Sequence, residues 1–195
     1  MAGLSIVGVS GSVTRPSRTT ALVQAVLDRI HARTGVAVRL IELVDSAPHL
    51  FTALTPDRLA GEAKALVEAV EQADLLVIGS PVYRASYTGA FKHLFDLVHH
   101  AAFVSKPVIL TATGGSHLHG LVTEHQLRPL FGFLNALTLP TTVYAVETDF
   151  LDYRVSSQKI LDRVDRAIVE ALTQLDRQDA DGAERPSRRA ALAYR

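Results

Sequence analysis

Five short apolar runs alternate along the chain with five longer stretches whose apolar residues fall at helical spacing. The runs are Leu4-Ser5-Ile6-Val7-Gly8-Val9, residues 36–41, residues 74–79, residues 106–112 and residues 141–146. They are rich in Val and Ile, and in the third no polar residue separates Leu75, Leu76, Val77 and Ile78. A strand without apolar–polar alternation is buried on both faces, as in a parallel sheet. The helical stretches are residues 17–34 on Leu22, Val23, Val26, Leu27 and Ile30, and residues 55–72 on Leu59, Ala63, Leu66, Val67 and Val70. Residues 88–100 run through Leu94, Phe95, Leu97 and Val98, residues 118–137 are interrupted by Pro129, and residues 157–175 follow Ile160, Leu161, Val164, Ile168 and Leu172. Gly35 ends the first helix, and Thr55-Pro56 opens the second with a cap and a proline at its first position. Residues 43–55, with Pro48, read as a loop.

Strands alternating with helices pair in parallel through right-handed crossovers, which predicts a three-layer α/β sandwich with helices on both faces of a five-stranded sheet. Ligands of such sheets sit beyond the carboxyl ends of the strands. Three loops of this chain meet there: Ser10–Pro16, Ser80–Tyr87 and Thr113–Ser116. The first leads into a helix N-terminus, where unpartnered N–H groups and a partial positive charge favour an anion. Ser12, Thr14, Ser17, Thr19 and Thr20 add hydroxyls, and Arg15 and Arg18 add planar cations suited to phosphate oxygens. No Gly-Lys pair of a nucleoside-triphosphate loop is present, and Gly8 and Gly11 lack the third glycine of a dinucleotide fingerprint. Read alone, the loop is either a monophosphate site or a Ser17 helix cap beside solvated arginines.

Composition narrows the classes. Twenty Lys and Arg balance twenty Asp and Glu, without the basic excess of a nucleic-acid binder. The absence of cysteine excludes disulfides, thiol catalysis and cysteine metal sites. No signal peptide and no apolar run of membrane-spanning length is visible, so the expectation is a cytoplasmic protein that engages neither membrane nor nucleic acid. Residues 1–175 read as one domain and the mixed-charge segment 176–195 as a mobile tail. His117, His119 and His125 fall near one helix start with no carboxylate arrangement of a known metal site, so packing or solvation accounts for them and no metal is expected. His99-His100 falls at a helix end, where a cationic side chain complements the dipole. Pro129 has no N–H for the carbonyl of residue 125, a gap that a π-bulge repairs.

Gly11-Ser12 followed by Pro16-Ser17-Arg18-Thr19-Thr20, then Ser80-Pro81-Val82-Tyr83, then Ala112-Thr113-Gly114-Gly115 together resemble the NAD(P)H-dependent FMN reductases of the flavodoxin-like superfamily. The likeness is nearest to reductases that partner alkanesulfonate and methanesulfonate monooxygenases, and extends through residues 87–92 and Leu127-Arg128-Pro129. It departs at Val13-Thr14, where relatives often carry Pro-Arg, so a phosphate role is carried over to Ser12, Ser17, Arg18 and Thr19 but not to Arg15. The resemblance implies a strand order of 2-1-3-4-5, FMN as bound flavin and NADH or NADPH as hydride donor. It further implies Pro81, Val82 and Tyr83 against the flavin ring, and Thr113, Gly114 and Gly115 at its polar edge. It also implies a homodimer or homotetramer, release of reduced FMN to a monooxygenase, and a role for His125 in tuning flavin retention at an interface, with no side chain acting as a catalytic acid or base. The rival readings are a quinone or azo reductase that retains FMN, and a non-enzymatic flavodoxin-type electron carrier.

Overall fold

The computed structural model of the chain describes residues 3–180 and 182. Strands β1 (Ile6–Ser10), β2 (Val38–Glu42), β3 (Leu75–Pro81) and β4 (Pro107–Gly114) form a parallel sheet in the order β2-β1-β3-β4. The fifth position beside β4 is shared by β5 (Leu137–Thr138) and β6 (Val143–Val146), both parallel to it. The expected 2-1-3-4-5 order is therefore present, with its last strand in two pieces. Pro140 explains the break, because it has no N–H to donate to the ladder. The neighbouring Thr141 turns to the Glu170 carboxylate instead, donating its N–H at 2.9 Å and its hydroxyl at 2.6 Å.

Helices cover both faces. On one lie α1 (Arg18–Thr34) and α6 (Gln158–Ala180), packed by Leu22, Val23, Leu27, Val164 and Ile168 onto Ile6, Leu75, Val77 and Ile109. On the other lie α2 (Leu43–Leu50), α3 (Gly61–Glu71), α4 (Gly89–Leu97) and α5 (Arg128–Phe133), with Phe91, Phe95 and Phe131 against Val9, Leu76, Ile78 and Leu110. Successive residues of β3 thus serve opposite cores, which is why its sequence shows no alternation.

Several boundaries differ from the sequence expectation. Residues 43–50 form α2 rather than loop, because Leu43, Ser46 and Leu50 share one buried face and the helix is short enough to carry Pro48 near its end. The second expected helix starts later, at Gly61; Pro56–Arg58 is a separate 3-10 turn. The stretch 118–137 is three pieces: a 3-10 turn His117–His119, a π-helical turn Thr123–Leu127, and α5, which ends at Phe133. β3 and β4 run on through Pro81 and Gly114, residues expected in loops. A small hairpin, β7 (Phe150–Leu151) and β8 (Arg154–Val155), follows β6. The last helix continues through Ala180, five residues into the stretch expected as tail, while residue 181 and residues 183–195 lie outside the described residues. Among the described residues no helix is long and apolar enough to cross a membrane.

Candidate functional site at the carboxyl edge

The ends of β1, β3, β4 and β6 open onto a cleft of about 230 Å³. Its walls include every residue singled out from the sequence as a cofactor contact: Ser12, Ser17, Arg18 and Thr19; Pro81, Val82 and Tyr83; Thr113, Gly114 and Gly115. Residues about a hundred positions apart in the chain meet here because the parallel register aligns the strand ends.

The end of the cleft where phosphate contacts were expected is built around the start of α1. Ser17 caps the helix, its side chain accepting the Thr20 N–H at 3.2 Å. The N–H groups of Arg18 and Thr19, the first two of the helix, have no carbonyl within it to serve. Buried Ser12 donates its hydroxyl to Thr14 O at 3.1 Å, and the Thr19 and Thr113 hydroxyls lie 2.5 Å apart, tying the first loop to the end of β4. Gly11 donates its N–H to Gly79 O at 2.7 Å and accepts the Thr88 hydroxyl at 2.8 Å, so the loop is held from two sides. The helix-cap and anion readings of this loop are compatible, since Ser17 caps Thr20 N–H with a lone pair and leaves the N–H groups of Arg18 and Thr19, both residues of the cleft wall, without a helix carbonyl.

Arg15 faces elsewhere. Its guanidinium forks onto Asp45, at 2.9 and 2.6 Å, and reaches Glu42 at 2.8 Å. These two carboxylates raise its pKa further above the ordinary arginine value. Arg15 is thus held by residues of β2 and α2 and does not line the cleft.

The opposite end, where ring contacts were expected, is shaped by two devices. Tyr83 and Ser86 exchange backbone hydrogen bonds of 2.8 and 3.1 Å around Arg84 and Ala85, which adopt the left-handed conformations of a tight turn. The Val82 N–H is anchored to Thr113 O at 2.8 Å, leaving Tyr83 partly exposed beside the cleft. The two glycines have different reasons. A Cβ on Gly114 would lie 2.1 Å from Tyr144 Oη, whereas one on Gly115 would meet nothing within 4 Å. Gly114 is required by the packing of Tyr144, whose hydroxyl donates to Ser116 O at 2.6 Å; partial burial raises that phenol's pKa. Gly115 is bare on the open side, where the backbone is accessible to a ligand edge.

Glu147 and Tyr153 also line the cleft and were not anticipated. Glu147 is ion-paired with Arg18, and the Arg18 guanidinium lies over the Tyr153 ring, 5.3 Å from its centroid. Both follow β6 within a polar excursion whose role has no signature in local sequence; only the pairing of β6 with β4 brings them to the edge.

His125 does occupy a π-helical turn. The N–H of Arg128 reaches Thr123 O, five residues back, ahead of Pro129. His125 is exposed and does not line the cleft; with Leu118, Leu121 and Gln126 it borders a shallow depression of about 170 Å³. The Ser86 hydroxyl donates to Gln126 Oε1 at 3.0 Å, so the π turn is coupled to the Tyr83 turn. His99 lies just beyond the end of α4, and its Nδ1 accepts the Ala101 N–H at 3.3 Å, capping the next 3-10 turn. No group of three or more His, Asp or Glu residues among those described could hold a metal ion.

A larger cavity, about 680 Å³, lies between α3, the end of α4 and the end of α5, lined by Leu59, Val67, Phe95, Val98 and Phe133 among others. It shares no residue with the cleft and offers neither the start of an α-helix nor a bare glycine backbone, so the smaller cleft is the better ligand site.

Comparison with known proteins bears out the resemblance drawn from the three loops. Residues 4–150 match the family described as NADPH-dependent FMN reductase. The chain is 49% identical over 161 residues to an NADH-dependent FMN reductase, SfnF, of Pseudomonas fluorescens, covering 83% of this chain and 86% of that one. It is 46% identical over 159 residues to an FMN reductase (NADPH) of Pseudomonas aeruginosa, covering 82% and 86%. A solved oxidoreductase structure from Corynebacterium diphtheriae superposes with a TM-score of 0.76 at 32% identity, over 88% of this chain and 96% of that one.

Proposed function

From the premise that this chain belongs to the NADPH-dependent FMN reductase family, we propose that its carboxyl-edge cleft holds FMN, with the phosphate at the first turn of α1. The chain is an NAD(P)H-dependent FMN reductase. The observation that carries the placement is the meeting of three separate loops, all ten expected residues included, around one cleft whose ends differ in chemistry.

The donor set fits the group. Helix-start N–H groups, the Ser12 and Ser17 hydroxyls and the Arg18 guanidinium suit a terminal monophosphate. The Pro81–Tyr83 segment, stiffened by proline and the Val82–Thr113 hydrogen bond, offers a flat wall for an aromatic ring. Gly115 leaves backbone accessible for the ring's polar edge. FMN supplies the hydride-accepting ring, so the protein's task is orientation and an anion cradle rather than acid–base catalysis. Tyr83 and Gly115 border the open side, where the nicotinamide of NADH or NADPH approaches.

The open cleft would release reduced FMN to a flavin-dependent monooxygenase of sulfonate desulfonation. The chain assembles as a homodimer or homotetramer, a reading supported by the exposed Leu118 and Leu121 beside the π turn. His125, on that turn, tunes flavin retention through Gln126 and Ser86. The test is anaerobic oxidation of NADH and NADPH with and without added FMN. Stoichiometric reduction of free FMN is expected. Quinone turnover with retained flavin and no response to added FMN, or no reaction with either nucleotide, overturns the reading.

A further inference from the structure

The cation nearest the phosphate end of the cleft is already engaged. Arg18 is the first residue of α1, its Nη2 is paired with a Glu147 carboxylate oxygen, and its guanidinium rests on Tyr153. Glu147 follows directly on β6 and lines the same cleft as Ser12, Ser17 and Thr19. A carboxylate on the wall of an anion cradle works against the anion. It occupies a donor that the phosphate needs, so the phosphate has to displace it before Arg18 can serve the ligand. The pair is also easily exchanged: the side chain of Arg18 is 37% exposed and that of Glu147 69%, so solvent screens their attraction. The Arg18 guanidinium carbon lies over the Tyr153 ring, 5.3 Å from its centroid, a contact that does not use the hydrogen-bonding capacity of its N–H groups.

We propose that Glu147 is an internal competitor for Arg18, holding that arginine when the cleft is empty and weakening the grip on the FMN phosphate so that the flavin exchanges. The inference rests on the reading of the cleft as an FMN site. Glu147 acts here as a positioning residue, through Arg18.

Flavin titration of the whole protein tests it, using Glu147→Gln, which keeps the shape and removes the charge. Glu147→Gln is expected to bind FMN more tightly by roughly two- to fivefold, the scale of a solvent-exposed charge interaction. Riboflavin, which lacks the phosphate, is expected to bind both proteins alike, a result that a purely structural role for Glu147 would not produce. The gain is expected to disappear when Glu147→Gln is made in an Arg18→Ala background. Unchanged or weaker FMN binding by Glu147→Gln overturns the proposal, as does equal tightening of riboflavin or a gain that persists without Arg18. A wild-type protein that binds riboflavin and FMN with one affinity overturns it by removing the phosphate site, and one that binds neither flavin removes the FMN reading itself.

Discussion

Two arginines three positions apart make opposite predictions, and comparing them tests the phosphate assignment directly. Arg18 lines the cleft at the helix start, whereas Arg15 is clamped by Asp45 and Glu42 outside it. Removing a charge-assisted hydrogen bond to phosphate costs about 1.5–3 kcal/mol. For Arg18→Ala part of that loss is offset, because wild-type Arg18 must first give up an exposed pair with Glu147, worth about 0–1 kcal/mol. The net expectation is about 2 kcal/mol, or roughly a thirtyfold rise in the FMN dissociation constant. Arg15→Ala is expected to leave that constant within about twofold, since screening at the surface attenuates a charge already neutralised by two carboxylates. Quenching of FMN fluorescence in a titration measures both. Equal losses for the two variants, or an unchanged titration for Arg18→Ala, would refute the assignment of the phosphate to the start of α1.

The two glycines of the third loop should separate stability from binding. Gly114→Ala is expected to cost about 1–3 kcal/mol in urea unfolding, because its Cβ displaces the Tyr144 hydroxyl from Ser116 O. Gly115→Ala should unfold like wild type yet weaken FMN; equal stability for both variants would show that Tyr144 yields freely. Buried Lys106 donates to Val70 O at 3.1 Å and Glu71 O at 2.6 Å at the end of α3, and burial lowers its pKa to about 7. The unfolded chain therefore binds the extra proton between about pH 7 and 10, and stability from this group rises with pH over that window, by at most about 1.4 kcal/mol per pH unit. Urea midpoints at pH 7, 8 and 9 should climb for wild type relative to Lys106→Met; parallel curves for the two would sink the idea.

Much of this protein is legible in one dimension, for reasons that are local. Unbroken apolar runs identify strands covered on both faces, and 3.6-residue spacing marks α1, α3 and α6. Ser17 and Gly35 cap α1 as their side chains, or lack of one, dictate. Pro129 forecasts the π turn because a missing N–H is a covalent fact. The three strand-end loops were readable as a ligand edge from their position, and the ten residues named within them, which all line one cleft, came from the family resemblance. Helix α2 was not legible: Pro48 reads as a breaker until Leu43 and Leu50 are seen to share a buried face. The last strand divides at Pro140, but what satisfies the backbone beside the break, Glu170 twenty-nine residues on from Thr141, only the fold shows.

The residues by themselves determined an α/β chain with a phosphate-suited loop ahead of a helix and a bare Gly-Gly turn. They could not choose between Arg15 and Arg18 by chemistry, since both carry the same guanidinium in the same loop. The resemblance favoured Arg18, and the tertiary structure supplies a physical reason in the partners: Asp45 and Glu42 from α2 and β2 draw Arg15 away, while Glu147 and Tyr153, delivered by β6, hold Arg18 beside the cleft. A charge is set by its residue type, but what that charge is free to do is set by the opposite charges the fold places beside it.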